Sequence, residues 1–276
     1  MPDKELDELK QIEVSIFAEF LNVCKLLNLR YYLLGGTLLG AIRHQGFIPW
    51  DDDIDIGMPR ADYDILCEKG QALLPSHLFL QNVDTDPECV MCYTKIRDSN
   101  TTFLETSARK MNINHGVFID IFPLDFYPQE KDRQKETEKK KRRYERRLSL
   151  CYYSPEKYTL EQRLRKLILL VAFPSRKTII CKREKLYRAV QKSDLLVNYG
   201  GAWGKKEIIP AEWYGEGTTV TFEGMKVTAP QHYQKWLTQV YGDYMKLPPE
   251  EKRITHHYTD MIDLTKSYRE YMRKKT

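Results

Sequence analysis

The chain has 276 residues, a length that fits one large domain or a core with a substantial insertion. Its composition is that of a globular protein, with 42% hydrophobic and 30% charged residues, and its net charge is +5. No stretch approaches the roughly 20 apolar residues that cross a bilayer, and the charged first residues do not resemble a secretory signal. Composition therefore argues against a membrane-spanning or exported protein and predicts a cytoplasmic one.

Six cysteines are present, and Cys89 and Cys92 form the one C-x-x-C pair. A structural zinc site needs two further ligands at compatible spacing, and the sequence near this pair has none. We therefore predict reduced, buried thiols rather than a zinc site.

Helical and strand patterns alternate in the first part of the chain. Apolar residues recur at helical spacing over 4–28, which predicts an amphipathic helix. A short apolar strand follows and stops at Gly35 and Gly36, and Thr37 is the predicted N-cap of the next helix. Pro49 favours a turn before an acidic strand, "DDDIDIGM", and "RADYDILCEKGQALL" predicts another helix.

Strand patterns return before the composition becomes basic. Segments 89–100 and 101–105 predict a hairpin, and "GVFIDIFPLDFYP" predicts a strand. Residues 131–147 hold ten Lys or Arg and four Asp or Glu, and we interpret this stretch as a basic helix. The later patterns predict helices over 160–173 and 177–191, a strand pair near 207–228, a helix over 230–242 and an irregular tail over 243–258.

Four aspartates stand at the start of the acidic strand: Asp51, Asp52, Asp53 and Asp55. Side chains two residues apart share one face of a strand, so Asp51, Asp53 and Asp55 would point the same way if the strand extends that far. Like charges on one face repel and raise one another's pKa. A hard divalent cation such as Mg²⁺ relieves that repulsion because it prefers carboxylate oxygens. A solvated acidic turn is the alternative interpretation.

Two further features favour a metal site. The Gly35-Gly36-Thr37 segment lies between a strand and a helix, where glycines let a phosphate approach the backbone and free N–H groups attract an anion. Asp120 is a lone carboxylate among the strand apolars of "VFIDIF", and a buried carboxylate needs a partner. As a third metal ligand on a neighbouring strand, Asp120 would have one.

A glycine turn, a D-x-D strand and a lone aspartate on a later strand resemble the layout of the nucleotidyltransferase fold. That fold implies an α+β protein with a mixed sheet flanked by helices, here with a basic helical insertion. The longer motifs resemble the LicD family, which contains bacterial phosphocholine transferases and relatives such as fukutin-related protein. The resemblance covers residues 27–127 and, more loosely, 200–258. It rests on "YYLLGGTLLGAIRHQGFIPWDDDIDIGMPRADYDIL", "KIRDSNTTF", "HGVFIDIFPLD" and "YGDYMKLPPEEKRITHH".

The resemblance implies transfer of phosphocholine from CDP-choline to a sugar hydroxyl of a teichoic-acid or surface-glycan precursor, with release of CMP. It assigns the catalytic and metal-binding carboxylates to Asp53, Asp55 and Asp120. Two Mg²⁺ ions, with Mn²⁺ as an alternative, would clamp an in-line displacement. Asp120 would be the general base, a metal ligand, or both. Transferases that use CDP-glycerol, CDP-ribitol or a nucleoside triphosphate are the alternatives.

Cationic side chains are the expected phosphate contacts. Lys95 and Arg97 alternate along one strand and are predicted to neutralise the diphosphate, with protection of a sheet edge as the alternative. Arg43 is predicted either to contact the substrate or to pair with Asp51 or Asp52.

Aromatic faces are the expected choline contacts, because a quaternary ammonium binds to aromatic rings. Trp50, directly before the acidic run, is the first choice. Its candidate companions are Tyr31, Tyr93, Tyr127 and Trp203. His256 and His257 match the tail motif of the family and are predicted either to reach the substrates or to serve in packing.

We predict three parts: a catalytic core with its N-terminal helix over 1–128, a basic helical insertion over 129–195, and C-terminal strands, helix and tail over 196–276. The insertion, with its segment "LEQRLRKLILLVAF", suits an anionic membrane surface, so peripheral attachment to the inner face is a hypothesis. Nucleic acid is not an expected partner, because only Tyr144 interrupts the basic run. A nucleotidyltransferase acting on RNA and a non-enzymatic basic module are more distant alternatives. The oligomeric state is left open.

Overall fold

The computed structural model describes residues 3–152, 175–255 and 258–272 and confirms an α+β architecture with a mixed sheet. The helices are α1 (Asp3–Leu27), α2 (Gly35–His44), α3 (Arg60–Lys69), α4 (Lys131–Tyr152), α5 (Arg176–Tyr187), α6 (Ala211–Tyr214), α7 (Tyr233–Tyr241) and α8 (Tyr268–Met272). The strands are β1 (Tyr32–Leu33), β2 (Asp55–Pro59), β3 (Leu78–Gln81), β4 (Thr94–Asp98), β5 (Thr102–Glu105), β6 (Val117–Phe126), β7 (Leu195–Asn198), β8 (Ile208–Pro210), β9 (Thr218–Phe222), β10 (Met225–Ala229) and β11 (Thr259–Asp263). Short 3₁₀ helices span Gly70–Leu73, Gly204–Glu207 and Glu250–Lys252.

Strand β6 is the centre of a seven-stranded sheet with the order β1-β2-β6-β4-β3, in which β7 also pairs with β6 and β8 with β7. Along one edge β6 runs parallel to β2. Along the other edge its first half is antiparallel to β4 and its last residues are antiparallel to β7. Because β6 has neighbours on both edges and is buried on both faces, its sequence is an almost continuous apolar run.

The core joins the beginning and the end of the chain. Helix α1 buries Phe17 and Phe20 at helical spacing, and the Phe17 ring meets the edge of Phe222 from β9. Farther along, Trp236 of α7 is buried and its indole N–H donates to the Tyr214 hydroxyl over 3.2 Å. The C-terminal strands and α7 therefore pack into the same hydrophobic cluster as the central sheet.

Two local predictions at the acidic segment were wrong. Strand β2 begins only at Asp55, so Asp51 and Asp53 precede the strand and strand alternation does not orient them. Thr37 is the third residue of α2, whose N-cap is Leu34, without a side-chain capping bond. The Thr37 hydroxyl is instead taken by a tertiary contact, the backbone N–H of Asp55.

The predicted hairpin was also wrong, because both edges of β4 are already taken by β3 and β6. Strand β5 pairs instead with β11 in a separate two-stranded sheet. The predicted helix over 177–191 ends at Tyr187. The predicted helix over 160–173 lies outside the described residues. Since β7 joins the central sheet, the limits between the three predicted parts stay a prediction.

The basic stretch 131–147 belongs to α4, which packs against α5. Part of its charge is balanced along the helix, as in the Lys140–Glu136 pair at 2.7 Å. Within the ranges that the structure describes, no helix is both long and apolar enough to cross a membrane.

Candidate active site

Two aspartates from different strands meet at the centre of the sheet. Asp55 opens β2 and is the in-register partner of Asp120 on the parallel strand β6. Register partners of a parallel pair place their side chains on the same face of the sheet. The backbone N–H of Asp120 also donates to the Ile54 carbonyl over 2.8 Å, which ties the acidic segment to β6. Pairing of the two strands thus brings together carboxylates that lie 65 positions apart.

The glycine turn touches these carboxylates directly. Gly35 has a φ of +51°, and a β-carbon there would lie 2.7 Å from Oδ2 of Asp55. A β-carbon on Gly36 would overlap the carboxylate of Asp51. Thr37 then accepts the Asp55 backbone N–H over 2.8 Å. The first turn of α2 and the acidic segment therefore fit together only because two side chains are missing.

Negative charge accumulates at this point. Burial raises the pKa of Asp55 well above its usual range, and the carboxylates of Asp53, Asp120 and Asp51 raise it further. Carboxylate oxygens of this kind are the donors that Mg²⁺ prefers. In the described part of the chain, however, no three His, Cys, Asp or Glu side chains already have the geometry of a metal site. The carboxylate oxygens are suitable ligands for a divalent cation. In this structure their negative charge is balanced in part by a positively charged side chain.

Lys95 supplies that charge. It is the β4 partner of Asp120 in the sheet, and its buried ammonium lies 2.8 Å from Oδ1 of Asp120 and 3.8 Å from Glu105. Its Nζ also sits 3.2 Å from the centroid of the Phe118 ring. Lys95 thus reaches the site through Asp120, and contact with a diphosphate stays a prediction.

Arg97 shares the strand face with Lys95, as predicted, but is fully buried beside it. Its guanidinium pairs with Glu105 at 2.8 Å and donates to the Gln81 side chain and the Gly116 carbonyl. It lines a neighbouring cavity of about 490 Å³. The structure therefore gives Arg97 three polar contacts that hold β4 in place.

A cavity of about 830 Å³ opens over the carboxylates. Of the residues predicted for the site, it is lined by Gly35, Gly36, Arg43, Trp50, Asp53, Asp55 and Asp120. Thr37 and Lys95 stand behind this lining. His256 and His257 lie outside the described residues. The opposite wall comes from segments 198–207 and 241–252, so the cavity joins both ends of the chain.

The sequence analysis missed Glu207, an almost fully buried carboxylate in the far wall. One of its oxygens accepts the Trp203 backbone N–H over 2.8 Å, and its carboxylate lies where a β-carbon on Gly201 would be. Burial raises the pKa of Glu207 to about 7, against hydrogen bonds from Trp203 and Asn198 and the charge of Lys141. The signal in the sequence that could have found it is "YGGAWGKKE", in which a pair of glycines shortly precedes the glutamate.

Arg43 and Trp50 both connect the site to the C-terminal segment. Arg43 donates to the ring of His44 over 2.9 Å and to the Tyr244 carbonyl over 3.1 Å. The guanidinium of Arg253 lies 5.5 Å from the centroid of the Trp50 ring. Both side chains line the cavity, and a direct role in binding substrate stays a prediction for each.

The candidate aromatic companions separate into two groups. Tyr93 and Trp203 line the cavity. Tyr31 packs against Phe20 near α1, and Tyr127 is buried in a separate cluster with Tyr199. The first pair is therefore placed to meet a ligand in this cavity.

Of the cysteines predicted to be buried, Cys89 is buried and Cys92 is half-buried, whereas Cys181 is exposed, so the prediction was wrong for Cys181. Cys89 and Cys92 are free, and burial raises the pKa of each to about 11. Both line the smaller cavity, away from the carboxylates.

Comparison with known proteins agrees with this site. The model of the LicD/FKTN/FKRP nucleotidyltransferase domain matches residues 28–162. The lipopolysaccharide cholinephosphotransferase LicD of Haemophilus influenzae is 33% identical over 263 residues, which are 91% of this chain and 96% of that protein. The chain belongs to the LicD family. A shorter match joins this chain to an uncharacterized protein of Rickettsia prowazekii, which is 60% identical over 35 residues (13% of each chain). The human ribitol 5-phosphate transferase FKRP is 58% identical over 31 residues, 11% of this chain and 6% of FKRP.

The match to the Haemophilus protein extends farther along the chain than the family model does, and this matters for the cavity. The family model ends at residue 162, before segments 198–207 and 241–252. The match to the Haemophilus protein covers 91% of the chain, so only about a tenth of the chain lies outside it. Most of the far wall of the cavity therefore has a counterpart in that relative.

Proposed function

We propose that this LicD protein transfers phosphocholine from CDP-choline to a sugar hydroxyl of a lipopolysaccharide-like glycan and releases CMP. The observation that carries the proposal is the 33% identity over 91% of the chain to a lipopolysaccharide cholinephosphotransferase. The cavity supports it, since about 830 Å³ is ample for a small nucleotide donor. A teichoic-acid precursor is the second acceptor class that the same chemistry would serve.

Asp53, Asp55 and Asp120 are the residues that would hold a divalent cation, with Mg²⁺ the preferred ion. Asp55 and Asp120 are adjacent in register, and Asp53 is the carboxylate that raises the pKa of Asp55 most. When bound, the cation neutralises the diphosphate and the charge that develops on the departing CMP. We propose that these three carboxylates form the metal site of a nucleotidyltransferase fold, the fold named for the domain of this family.

Asp120 is our candidate for the group that takes the proton from the acceptor hydroxyl. It lines the cavity, and the ammonium of Lys95 contacts it from behind at 2.8 Å. The Lys95 charge favours the ionised form of the carboxylate, which is the form that accepts a proton. Lys95 also holds the carboxylate in one orientation. Its role is therefore that of a positioning residue.

Donor binding and turnover test the proposal. We would measure calorimetric binding of CDP-choline, CDP-glycerol, CDP-ribitol, CTP and ATP, with and without Mg²⁺, together with CMP release on adding a glycan acceptor. Asp53→Asn combined with Asp55→Asn should abolish the Mg²⁺-dependent part of binding. Asp132→Asn on the exposed face of α4 is the matched control and should leave it intact. Tighter Mg²⁺-dependent binding of triphosphates than of CDP-choline would refute the proposed reaction.

A ribitol phosphate donor is the second candidate, and the match to FKRP favours it. That match covers only 11% of this chain, so it bears on a single segment and not on the whole cavity. Preference for CDP-ribitol over CDP-choline in the same titration would select this alternative and keep the metal and base assignments.

Peripheral membrane contact is proposed for the basic part of the chain. The exposed charges of α4 and the sequence of the segment that follows it suit an anionic lipid surface. Flotation with anionic and with neutral vesicles at low salt tests this. Recovery with anionic vesicles alone is expected, and absence of binding to both would reject membrane contact.

A further inference from the structure

The far wall of the cavity contains an aromatic corner made by Trp203 and Tyr241. Their ring centroids are 4.9 Å apart at an interplanar angle of 75°, an edge-to-face contact. Both residues line the cavity, and 44% of Trp203 is exposed. The corner therefore presents two differently oriented aromatic surfaces to a ligand.

This corner lies in the negative field of the carboxylates. Tyr241 lines the same cavity as Asp51 and Asp55. A cation at the corner would be attracted by the ring faces and by this charge. The protein already places one cation there, because Lys206 Nζ is 5.5 Å from the centroid of Trp203. That ammonium is tethered to the Val240 carbonyl at 2.8 Å.

Glu207 holds the corner in position. Its carboxylate accepts the Trp203 backbone N–H and lies against Gly201, where any side chain would displace it. The Asn198 side chain donates a further hydrogen bond to this carboxylate, and its oxygen accepts the Gly200 backbone N–H over 3.0 Å. The position of the Trp203 backbone, and hence of its indole, depends on this buried anchor.

Trp50, the other tryptophan of the cavity, has a different environment. Arg253 stands over its ring at 5.5 Å, and no second ring is paired with it among the aromatic contacts of the described residues. Aromatic recognition of a quaternary ammonium uses several faces rather than one. The Trp203–Tyr241 corner supplies two faces, whereas Trp50 supplies one.

We propose that Trp203 and Tyr241 form the binding surface for the quaternary ammonium group of the donor, and that Glu207 is the positioning residue that sets this surface. The inference deepens the proposed function, on which it rests for the identity of the donor. It assigns the choline end of the ligand to the C-terminal wall, opposite the glycine turn. The diphosphate would then lie between the two walls, over the carboxylates.

Paired titrations with CDP-choline and CMP in Mg²⁺ test the binding surface. CMP lacks the whole phosphocholine group, and comparing the preference between variants cancels the contribution of the second phosphate. Trp203→Leu should lower the preference for CDP-choline over CMP by about tenfold while CMP affinity stays within twofold. Trp213→Leu is the matched control, since Trp213 also has a lysine, Lys235, near its ring (5.8 Å) but lies outside the cavity. An unchanged preference in Trp203→Leu, or a loss in Trp50→Leu alone, would overturn the proposal.

The anchor is tested separately. Glu207→Gln keeps an oxygen acceptor for the Trp203 N–H and should keep the preference, whereas Glu207→Ala should lose it about as fully as Trp203→Leu. Hydrogen exchange at the Trp203 amide should accelerate in Glu207→Ala alone. A merely structural role would instead lower the unfolding midpoint and weaken CDP-choline and CMP equally, which would overturn the positioning role.

Titration of tetramethylammonium into the wild type and into Trp203→Leu tests the ammonium site separately from the identity of the donor. If the wild type binds tetramethylammonium through Trp203 but does not prefer CDP-choline, the proposed donor is wrong and the ammonium site stands. If the wild type prefers CDP-choline and Trp203→Leu retains tetramethylammonium binding, the site is wrong and the proposed donor stands.

Discussion

The ammonium of Lys95 lies 2.8 Å from the carboxylate of Asp120, and both side chains are buried in the centre of the sheet. Burial of two charges is costly unless each has a partner, so the two side chains depend on each other. Asp120 also faces the cavity and the carboxylate of Asp55. One ion pair thus links the stability of the sheet to the proposed chemistry.

Removal of Lys95 should destabilise the protein. In Lys95→Met, Asp120 and Glu105 lose a buried cation, and we expect the free energy of unfolding to fall by about 3 kcal/mol. Lys95→Arg, which keeps the charge, should lose much less. Urea denaturation measures both. Addition of Mg²⁺ should recover part of the loss in Lys95→Met, and equal stability of the methionine variant and the wild type would contradict the role of the pair.

Neutralisation of Asp55 should separate stability from activity. Asp55→Asn keeps the shape of the side chain and removes repulsion with Asp53 and Asp120, so without divalent cations the variant should be more stable by about 1 kcal/mol. Its turnover should fall at least about a hundredfold, because a metal ligand is lost. Thermal unfolding with EDTA and with Mg²⁺ shows the difference. A variant that Mg²⁺ stabilises as much as the wild type would exclude Asp55 from the metal site.

The glycine turn should not tolerate a β-carbon. Gly35→Ala combines a positive φ of +51° with a close approach to the Asp55 carboxylate, and we expect loss of donor binding together with about 1–3 kcal/mol of stability. Gly224→Ala is the matched control. Gly224 also has a positive φ, +74°, but nothing lies within 4 Å of an added β-carbon. If the two variants bind the donor equally well, the contact with the Asp55 carboxylate is not needed for donor binding. Any loss of stability in Gly35→Ala would then come from backbone strain alone.

Glu207 should make the stability of the protein depend on pH around neutrality. The pKa of Glu207 is about 7 in the folded protein and near 4.5 in an unfolded chain, so between these values only the folded state keeps the proton. The free energy of unfolding should therefore fall as the pH rises from about 4.5 to about 7, by up to ~3 kcal/mol.

Glu207→Gln, which cannot ionise, should lose this part of the pH dependence. Denaturation of both proteins at pH 5 and pH 8.5 measures it, with the variant gaining stability relative to the wild type at the higher pH. Lys141 and Asp55 are the charged groups coupled to Glu207, and they are present in both proteins. Parallel pH profiles for the two proteins would contradict the assignment.

Much of the local structure could be predicted, because it follows from periodicity. The predictions from the apolar spacing of α1 and from the nearly continuous apolar run of β6 were correct, since each pattern describes one element and the surface that it buries. Asp120 stood out for the same reason, as a charge in a run that otherwise reads as core. The hairpin of β4 and β5 failed because pairing is a property of two edges, and local sequence does not show that β3 and β6 occupy both edges of β4.

By itself, the sequence determined the α+β class, the family, and the three carboxylates that come together. These depend on residue types in a fixed order, which the chain carries wherever it folds. Only the tertiary structure decided that Lys95 pairs with Asp120 and that Glu207 is buried behind Trp203. Both outcomes depend on which distant segment excludes water from a charged group. A local pattern cannot encode that exclusion, because the same lysine or glutamate on an open surface would have the same neighbours in sequence.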